Sequence, residues 1–346
     1  MPRLRRVDPS APGITRRRHG KGFAYVYADG SPVSPEDRAR IRALAIPPAW
    51  KGVWISVHPH GHLQATGTDA AGRRQYLYHE LWRQRQDRQK FDEMLAFARC
   101  LPHIGDICER QLAMEGVGRD RVLAGAIRLL YRGFFRIGSE GYAEQNQTFG
   151  LATIQKQHVK VSGDVLQFDY VAKGNKPRRL AFEDPLAAPL VAALKRRRGG
   201  GIELLAFREG KSWVDVRSAD INGYIKEITG RDFSAKDFRT WAATAMAALG
   251  MAVSVHTAGS KTARKRAMAH VIKDVANAMG NTPAVCRASY VDPRVFDRFL
   301  SGWVISVGTL WDNVDSWAMF TDRALIAAVL DLLEENVEAE TVEKIA

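Results

Sequence analysis

The sequence predicts an α+β protein of two domains: a small N-terminal domain with a mixed antiparallel sheet over about 1–90, and a larger, mainly α-helical domain over about 91–346 that carries a small sheet of its own. Three observations predict it. Short stretches of alternating apolar and aromatic residues crowd the first quarter of the chain. From about residue 91 apolar residues recur at helical spacing. Residues 149–182 interrupt that spacing with strand-like alternation and turn signals.

The elements follow in order. Residues 3–18 form an arginine-rich arm (Arg3, Arg5, Arg6, Arg16, Arg17, Arg18) expected to be loosely ordered. Gly22–Tyr27 reads as a strand ended by the turn Asp29-Gly30. Ser34-Pro35 starts a capped helix with proline at its first position. Val53–Val57 and His62–Thr66 are further strands, and a long polar helix is expected over roughly 73–90. Helices are expected near 91–112 and 118–133. Leu151–Ile154, Val159–Val161, Val165–Val171 and Arg179–Phe182, with turns at Ser162-Gly163 and Gly174-Asn175, read as an antiparallel meander. The clearest later helices are 234–249 and 262–279, and a last one near 322–334 leads into an acidic tail.

Size and composition narrow the function. The 346 residues, 46% of them hydrophobic, suffice for two cores. No run of 18 apolar residues is present, so no membrane-spanning helix is expected. The basic N-terminus lacks an apolar segment of the secretory type. Cys100, Cys108 and Cys286 are too few and too scattered for a disulfide framework or a zinc site, which points to a reducing, cytoplasmic setting. The net charge is +13, and residues 1–90 hold most of it: 17 Lys+Arg against 7 Asp+Glu, where the rest of the chain has 34 against 31. Positive charge concentrated in this way suits a phosphate backbone, and so a nucleic-acid partner.

Familiar cofactor motifs fail on inspection. Gly210-Lys211-Ser212 resembles the end of a phosphate-binding loop, but Leu205 stands where the first glycine belongs. His79-Glu80 would begin a zinc-protease helix, but Arg83 replaces the second histidine. Gly20-Lys21-Gly22 lacks its third glycine, since position 25 is Tyr25. No nucleotide, metal or flavin cofactor is expected, so any phosphoryl chemistry has to run on side chains.

Such chemistry has definite needs. A nucleophile attacks phosphorus, fixed cations meet the charge that grows on the non-bridging oxygens, and a general acid protonates the leaving oxygen. Arg136 lies in an apolar stretch after a helix, Lys173 at a hairpin turn, Arg239 one step off the apolar stripe of its helix, and Tyr290 beyond a short helix opened by Pro283. Taken singly, the arginines fit ordinary ion pairs, Lys173 a turn lysine and Tyr290 a half-buried tyrosine. Spacing alone does not join them into one site.

Their order and sequence context do resemble a known family. These segments are similar to the catalytic half of type IB DNA topoisomerases, in particular the small poxvirus-like and bacterial group, whose helical domain shares its fold with tyrosine recombinases. Asp69–His79, then Trp82-Arg83 and Lys90-Phe91-Asp92, resemble the segment that enters the major groove in that family, and the resemblance covers roughly 20–335. It implies relaxation of supercoiled duplex DNA by a monomer that closes on the duplex as a two-lobed clamp. Tyr290 would form a 3′-phosphotyrosyl link, Arg136 and Arg239 would hold the non-bridging oxygens, and Lys173 would protonate the 5′-OH. Lys236 would assist that proton transfer or contact phosphate, Tyr142 would contact phosphate, and Gln75 and Tyr76, with Arg73 and Arg74 beside them, would contact bases and backbone. The chain departs from the poxvirus pattern nine residues before the tyrosine, where Asn281 replaces histidine. Asparagine donates one neutral hydrogen bond but carries no charge or proton.

Two other readings compete. A tyrosine recombinase usually shows His-x-x-Arg at the second arginine, and here Lys236 precedes Arg239 by three residues. A basic DNA-binding protein without chemistry would explain the charge, but it does not need Arg136, Lys173, Arg239 and Tyr290 together.

Overall fold

The computed structural model describes residues 3–255, 259–308 and 321–345, without the side chain of Tyr142. The chain forms two compact units, Met1–Asp92 and Glu93–Ala346, and its composition is α+β.

The first unit is built on a five-stranded antiparallel sheet of β1 (Ile14–His19), β2 (Gly22–Val26), β3 (Lys51–Ile55), β4 (Leu63–Thr68) and β5 (Arg74–Tyr78), in the order β2-β1-β3-β4-β5. Helix α1 (Pro35–Ala43) begins at Ser34, whose hydroxyl accepts the Asp37 N–H at 3.0 Å. It buries Ile41 with Ile14, Val53, Ile55 and Ala65.

Two expectations for this unit are corrected. The arm is not loose, because Arg5 bridges to Gly61, with its N–H on His60 O at 2.9 Å, and Arg16, Arg17 and Arg18 stand on β1. Arg16 donates to the carbonyls of Pro47 (3.1 Å) and Trp50 (2.6 Å) and lies over the Phe23 ring, so its charge serves the fold. The polar helix expected over 73–90 starts only at Glu80, and residues 74–78 are instead the edge strand β5. The reason is local. The Asp69 carboxylate accepts the N–H groups of Ala71 and Arg73, both at 2.9 Å, and turns the chain back onto β4. The alternation Tyr76-Leu77-Tyr78 then packs Leu77 against the core and exposes both tyrosines. Helix α2 runs unbroken over Glu80–Leu112, where two helices are expected from the sequence.

The second unit is mainly helical. It contains α3 (Arg119–Gly133), α4 (Glu140–Asn146), α5 (Ala187–Arg196), α6 (Ser218–Thr229), α7 (Ala235–Val253), α8 (Lys261–Met279), α9 (Pro283–Ser289), α10 (Pro293–Leu300) and α11 (Arg323–Glu334). Its core joins Phe97, Phe238 and Trp241, with Phe97 edge-on to Phe238 at 4.8 Å between ring centres. A three-stranded antiparallel sheet, β6 (Val159–Ser162), β7 (Val165–Ala172) and β8 (Lys176–Glu183), lies between α4 and α5 in the chain. The hairpin β9 (Ala206–Glu209) and β10 (Ser212–Asp215) turns at Gly210-Lys211, the pair that resembles a phosphate loop. The expected acidic tail closes a small ladder, with β12 (Val342–Lys344) paired to β11 (Trp303–Ile305).

Leu151–Ile154, expected as a strand, is instead a single 3-10 turn over Leu151–Thr153. The N–H groups of Leu151 and Ala152 are taken by the carbonyls of Arg136 and Ile137, at 2.8 and 2.7 Å. Gly138 and Gly150 permit that approach: a Cβ on Gly150 would lie 2.4 Å from the Gly138 nitrogen. The loop carrying Arg136 is thereby fixed.

A buried carboxylate ties the sheet to α3. Asp184 is fully buried, accepts Arg128 Nε at 2.8 and 2.9 Å, and lies 3.3 Å from Arg132 Nε. It also accepts the Leu186 and Ala187 N–H groups at the start of α5. Asp184→Ala strands two guanidiniums and is expected to cost about 3–5 kcal/mol, checked by urea unfolding at neutral pH. A loss below about 1 kcal/mol would show that water replaces the carboxylate.

Candidate active site

Two helix ends build the site. Helix α3 ends at Phe134, which adopts the left-handed conformation (φ 51°). Helix α8 ends at Gly280 (φ 64°), and a Schellman arrangement fixes the residue beyond it: Gly280 N–H donates to Asn277 O (3.1 Å) and Asn281 N–H to Ala276 O (2.8 Å). Both ends leave carbonyls with no partner inside the helix.

Arginines take those carbonyls. Arg239, on α7, donates from Nη1 to Phe134 O and from Nη2 to Met279 O at 3.0 Å. Arg178, on β8, donates from Nη2 to Gly133 O and Ala278 O, both at 3.0 Å. Arg136 donates from Nη2 to Gly280 O at 3.0 Å and to the Asn281 Oδ1. Among the described residues no carboxylate pairs with any of the three. Burial, with Arg136 next, pulls the Arg239 pKa down to about 10, against a raising contribution from Tyr290, so it stays charged near neutrality. The sequence places Arg239 off the apolar stripe of its helix, but it is 4% exposed, because the carbonyls replace water around it.

Tyr290 joins this group. It ends α9, whose first turn is capped by Thr282 with Pro283 behind it. Its N–H donates to Cys286 O at 3.0 Å and its carbonyl accepts the Thr244 hydroxyl at 3.2 Å. The Arg239 guanidinium carbon lies 5.2 Å from the ring centre. The group leaves two buried donors unused: Arg239 Nε and Asn281 Nδ2 have no partner among the described residues. A cavity of about 280 Å³ opens beside Asn281, with Arg136, Lys176, Arg178, Asn277 and Gly280 also in its wall. An uncompensated cation cluster with idle donors and a tyrosine at its edge is suited to hold an oxyanion next to a nucleophile.

The other residues singled out in the sequence stand apart from this group. Lys173 is at the β7–β8 turn as the sequence predicts. The turn is exposed and not partly desolvated, and no hydrogen bond or ion pair to the described residues holds the lysine. Lys236 is exposed in the first turn of α7, and the Tyr142 side chain lies outside the described residues. In the first unit, Gln75 donates to Asp69 at 2.9 Å, Arg73 pairs with the same carboxylate, and Arg74 donates to the Thr66 hydroxyl. Tyr76 is 49% exposed.

Known proteins are similar to this chain in sequence. A family model described as "Eukaryotic DNA topoisomerase I, catalytic core" matches residues 79–298, and one described as "Bacterial DNA topoisomerase IB, N-terminal domain" matches 22–69. A DNA topoisomerase 1B of Acanthamoeba polyphaga mimivirus is 30% identical over 285 residues, which are 81% of this chain and 85% of that protein. The chain belongs to the type IB DNA topoisomerase family. DNA topoisomerase 1B of vaccinia virus (strain Copenhagen) and DNA topoisomerase I of monkeypox virus are each 22% identical over 233 residues, 67% of this chain and 70% of theirs. The catalytic-core match contains Arg136, Arg239, Asn281 and Tyr290, whereas residues 70–78, around Gln75 and Tyr76, fall between the two matches.

For a topoisomerase of this family, three further residues stand out that the sequence reading missed. Arg178 is one, and it was within reach: strand alternation puts it on the face of Leu180 and Phe182, where a cation is out of place. Thr244 is another. It ties α7 to the Tyr290 carbonyl and accepts the Asp292 N–H at 3.1 Å, and nothing in an alanine-rich helix marks it beforehand. The third, Tyr78, stacks on Tyr76 with ring centres 6.2 Å apart, and its place two residues on was the available signal.

Proposed function

We propose that the chain relaxes supercoiled duplex DNA as a monomer, without a nucleotide or a metal, through a 3′-phosphotyrosyl intermediate. Tyr290 Oη loses its proton to solvent as it attacks the phosphorus, and the bond to the 5′ oxygen breaks; the phenol regains a proton from solvent when the strand is resealed. Arg136 and Arg239 hold the non-bridging oxygens, and the idle Asn281 Nδ2 adds a neutral hydrogen bond. Lys173 comes onto the leaving oxygen once duplex is bound and gives it a proton. The free 5′-OH swivels about the intact strand, then attacks the phosphotyrosine and returns the proton. Supercoil strain drives the swivel. Gln75, Tyr76, Arg73 and Arg74 on β5 read the groove, while Lys236 and Tyr142 contact flanking phosphates. The catalytic domain then follows the tyrosine-recombinase layout, and a cytoplasmic, nucleoid-bound enzyme fits a DNA substrate.

The observation that carries this reading is the uncompensated arginine cluster around Tyr290. Its test is supercoiled plasmid incubated in EDTA without ATP. Relaxation is expected, together with protein trapped on the 3′ side of the break by denaturant. Binding without relaxation would overturn the proposal.

Asn281 offers a narrower check. Its Oδ1 is held by Arg136 and its Nδ2 is free, so the amide faces one way. Asn281→Ala is expected to slow single-turnover cleavage about 100-fold, and Asn281→Asp to slow it more, because a carboxylate repels the phosphate. Equal rates for Asn281→Asp and wild type would remove Asn281 from the site.

A further inference from the structure

The mechanism above uses two of the three clustered arginines and leaves Arg178 without a role. Its placement is specific. It stands on β8 directly opposite Tyr170 of β7, and it reaches one carbonyl in the last turn of α3 and one in the last turn of α8. Arg239 spans the same gap one residue further along each helix, from Phe134 O to Met279 O. The two guanidiniums are therefore successive rungs between the same two helix ends. One rung lies between α3 and the backbone that carries Asn281, and the other is itself an oxyanion holder. Arg178 also faces the cavity: a Cβ on Gly280 would lie 2.8 Å from its Nη1 and 3.8 Å from the Arg136 Nη1.

Keeping a third cation here is costly. Burial lowers its pKa, the Tyr170 hydroxyl pushes back, and Arg136 adds repulsion. A neutral donor could join two carbonyls without that cost. The planar fork of arginine reaches both and holds their separation, which a flexible ammonium does less rigidly.

We propose that Arg178 is a positioning residue for strand cleavage: it fastens the C-terminal ends of α3 and α8 to each other and so sets the spacing of Arg136, Arg239 and Asn281. The inference rests on the proposed role of this site. It adds that the distance between the oxyanion donors is held by a residue that does not itself touch the phosphate.

The test uses full-length protein and a short duplex carrying a cleavage site. Arg178→Ala is expected to lower the single-turnover cleavage rate about 10- to 100-fold while the Kd for duplex and its salt slope stay within about twofold. In an Arg136→Ala background the same substitution is expected to cost clearly less than it does in wild type, since one of the three donors whose spacing it sets is gone. In a Lys173→Ala background it is expected to cost its full factor. A general loss of stability would not produce that pattern. If Arg178→Ala fails to fold, Arg178→Lys carries the test, with an expected loss of about 5- to 20-fold. A cleavage rate equal to wild type overturns the inference. So does a full multiplicative loss beside Arg136→Ala, or a salt slope reduced by one contact, which would make Arg178 a direct phosphate ligand. Wild-type protein that never forms an adduct would count against the reading of the site, and not against this inference.

Discussion

Tyr290→Phe is expected to abolish relaxation and the covalent adduct, a loss on the order of 10⁴-fold or more, while leaving folding and duplex binding in place. The substitution is mild because most anchors of this residue are not on its hydroxyl, which meets only the Arg239 guanidinium. Its N–H is held by Cys286, its carbonyl by Thr244, and its ring lies against Arg239, and phenylalanine keeps all three. What is lost is the oxygen proposed to attack phosphorus. The measurement pairs plasmid relaxation with a gel-shift isotherm and a thermal melt. Residual relaxation above about 1% of wild type would mean that another nucleophile serves the reaction. Lost binding would mean that the phenol has a structural partner.

Arg239→Ala is expected to be the next most severe change, about 100- to 1000-fold in single-turnover cleavage. Unlike Tyr290→Phe, it should also destabilise the protein. Arg239 donates to Phe134 O and Met279 O inside a site where it is 4% exposed, so removing it takes a charged donor from two buried acceptors. Each such acceptor costs about 1–3 kcal/mol. Arg239→Lys separates the two effects. A lysine keeps the charge but cannot span both carbonyls and still meet an oxyanion, so it should recover stability better than rate. Cleavage by Arg239→Ala within threefold of wild type, at saturating enzyme, would remove Arg239 from the reaction.

Much of this molecule was legible in its sequence, and the misses have physical causes. Helices α8 and α11 follow from apolar spacing, because each buries one continuous face, and α3 and α7 follow from longer apolar runs, because they are buried on nearly all sides. The hairpin of β7 and β8 follows from Gly174-Asn175, both at positive φ. The stretch 74–78 was misread because its polar residues also suit a helix. The turn held by Asp69, and the vacant edge of β4, decide for a strand. Leu151–Ile154 has strand composition, but the loop of Arg136 already takes its N–H groups.

For the site, order and context identified Arg136, Arg239, Asn281 and Tyr290, and the fold brings these four to one place. Neither order nor context could show that arginines would be held by backbone carbonyls. That interaction leaves no side-chain partner to find in a sequence, which is why Arg178 escaped notice. Lys173 is in the expected turn, yet none of the described residues holds it against the group.

The anchoring of three arginines on residues 278–280 has a consequence for how the protein can change over generations. The oxygens that hold Arg178, Arg239 and Arg136 belong to the main chain, so no exchange of side chain can delete them. Exposed Ala278 is free to drift. Gly280 is not, because any side chain there strains the backbone and meets Arg178. The weak point of this candidate site is therefore a matter of counting: one residue inserted or lost at the end of α8 would shift all its anchors on that helix at once, while leaving each proposed catalytic side chain present in the sequence.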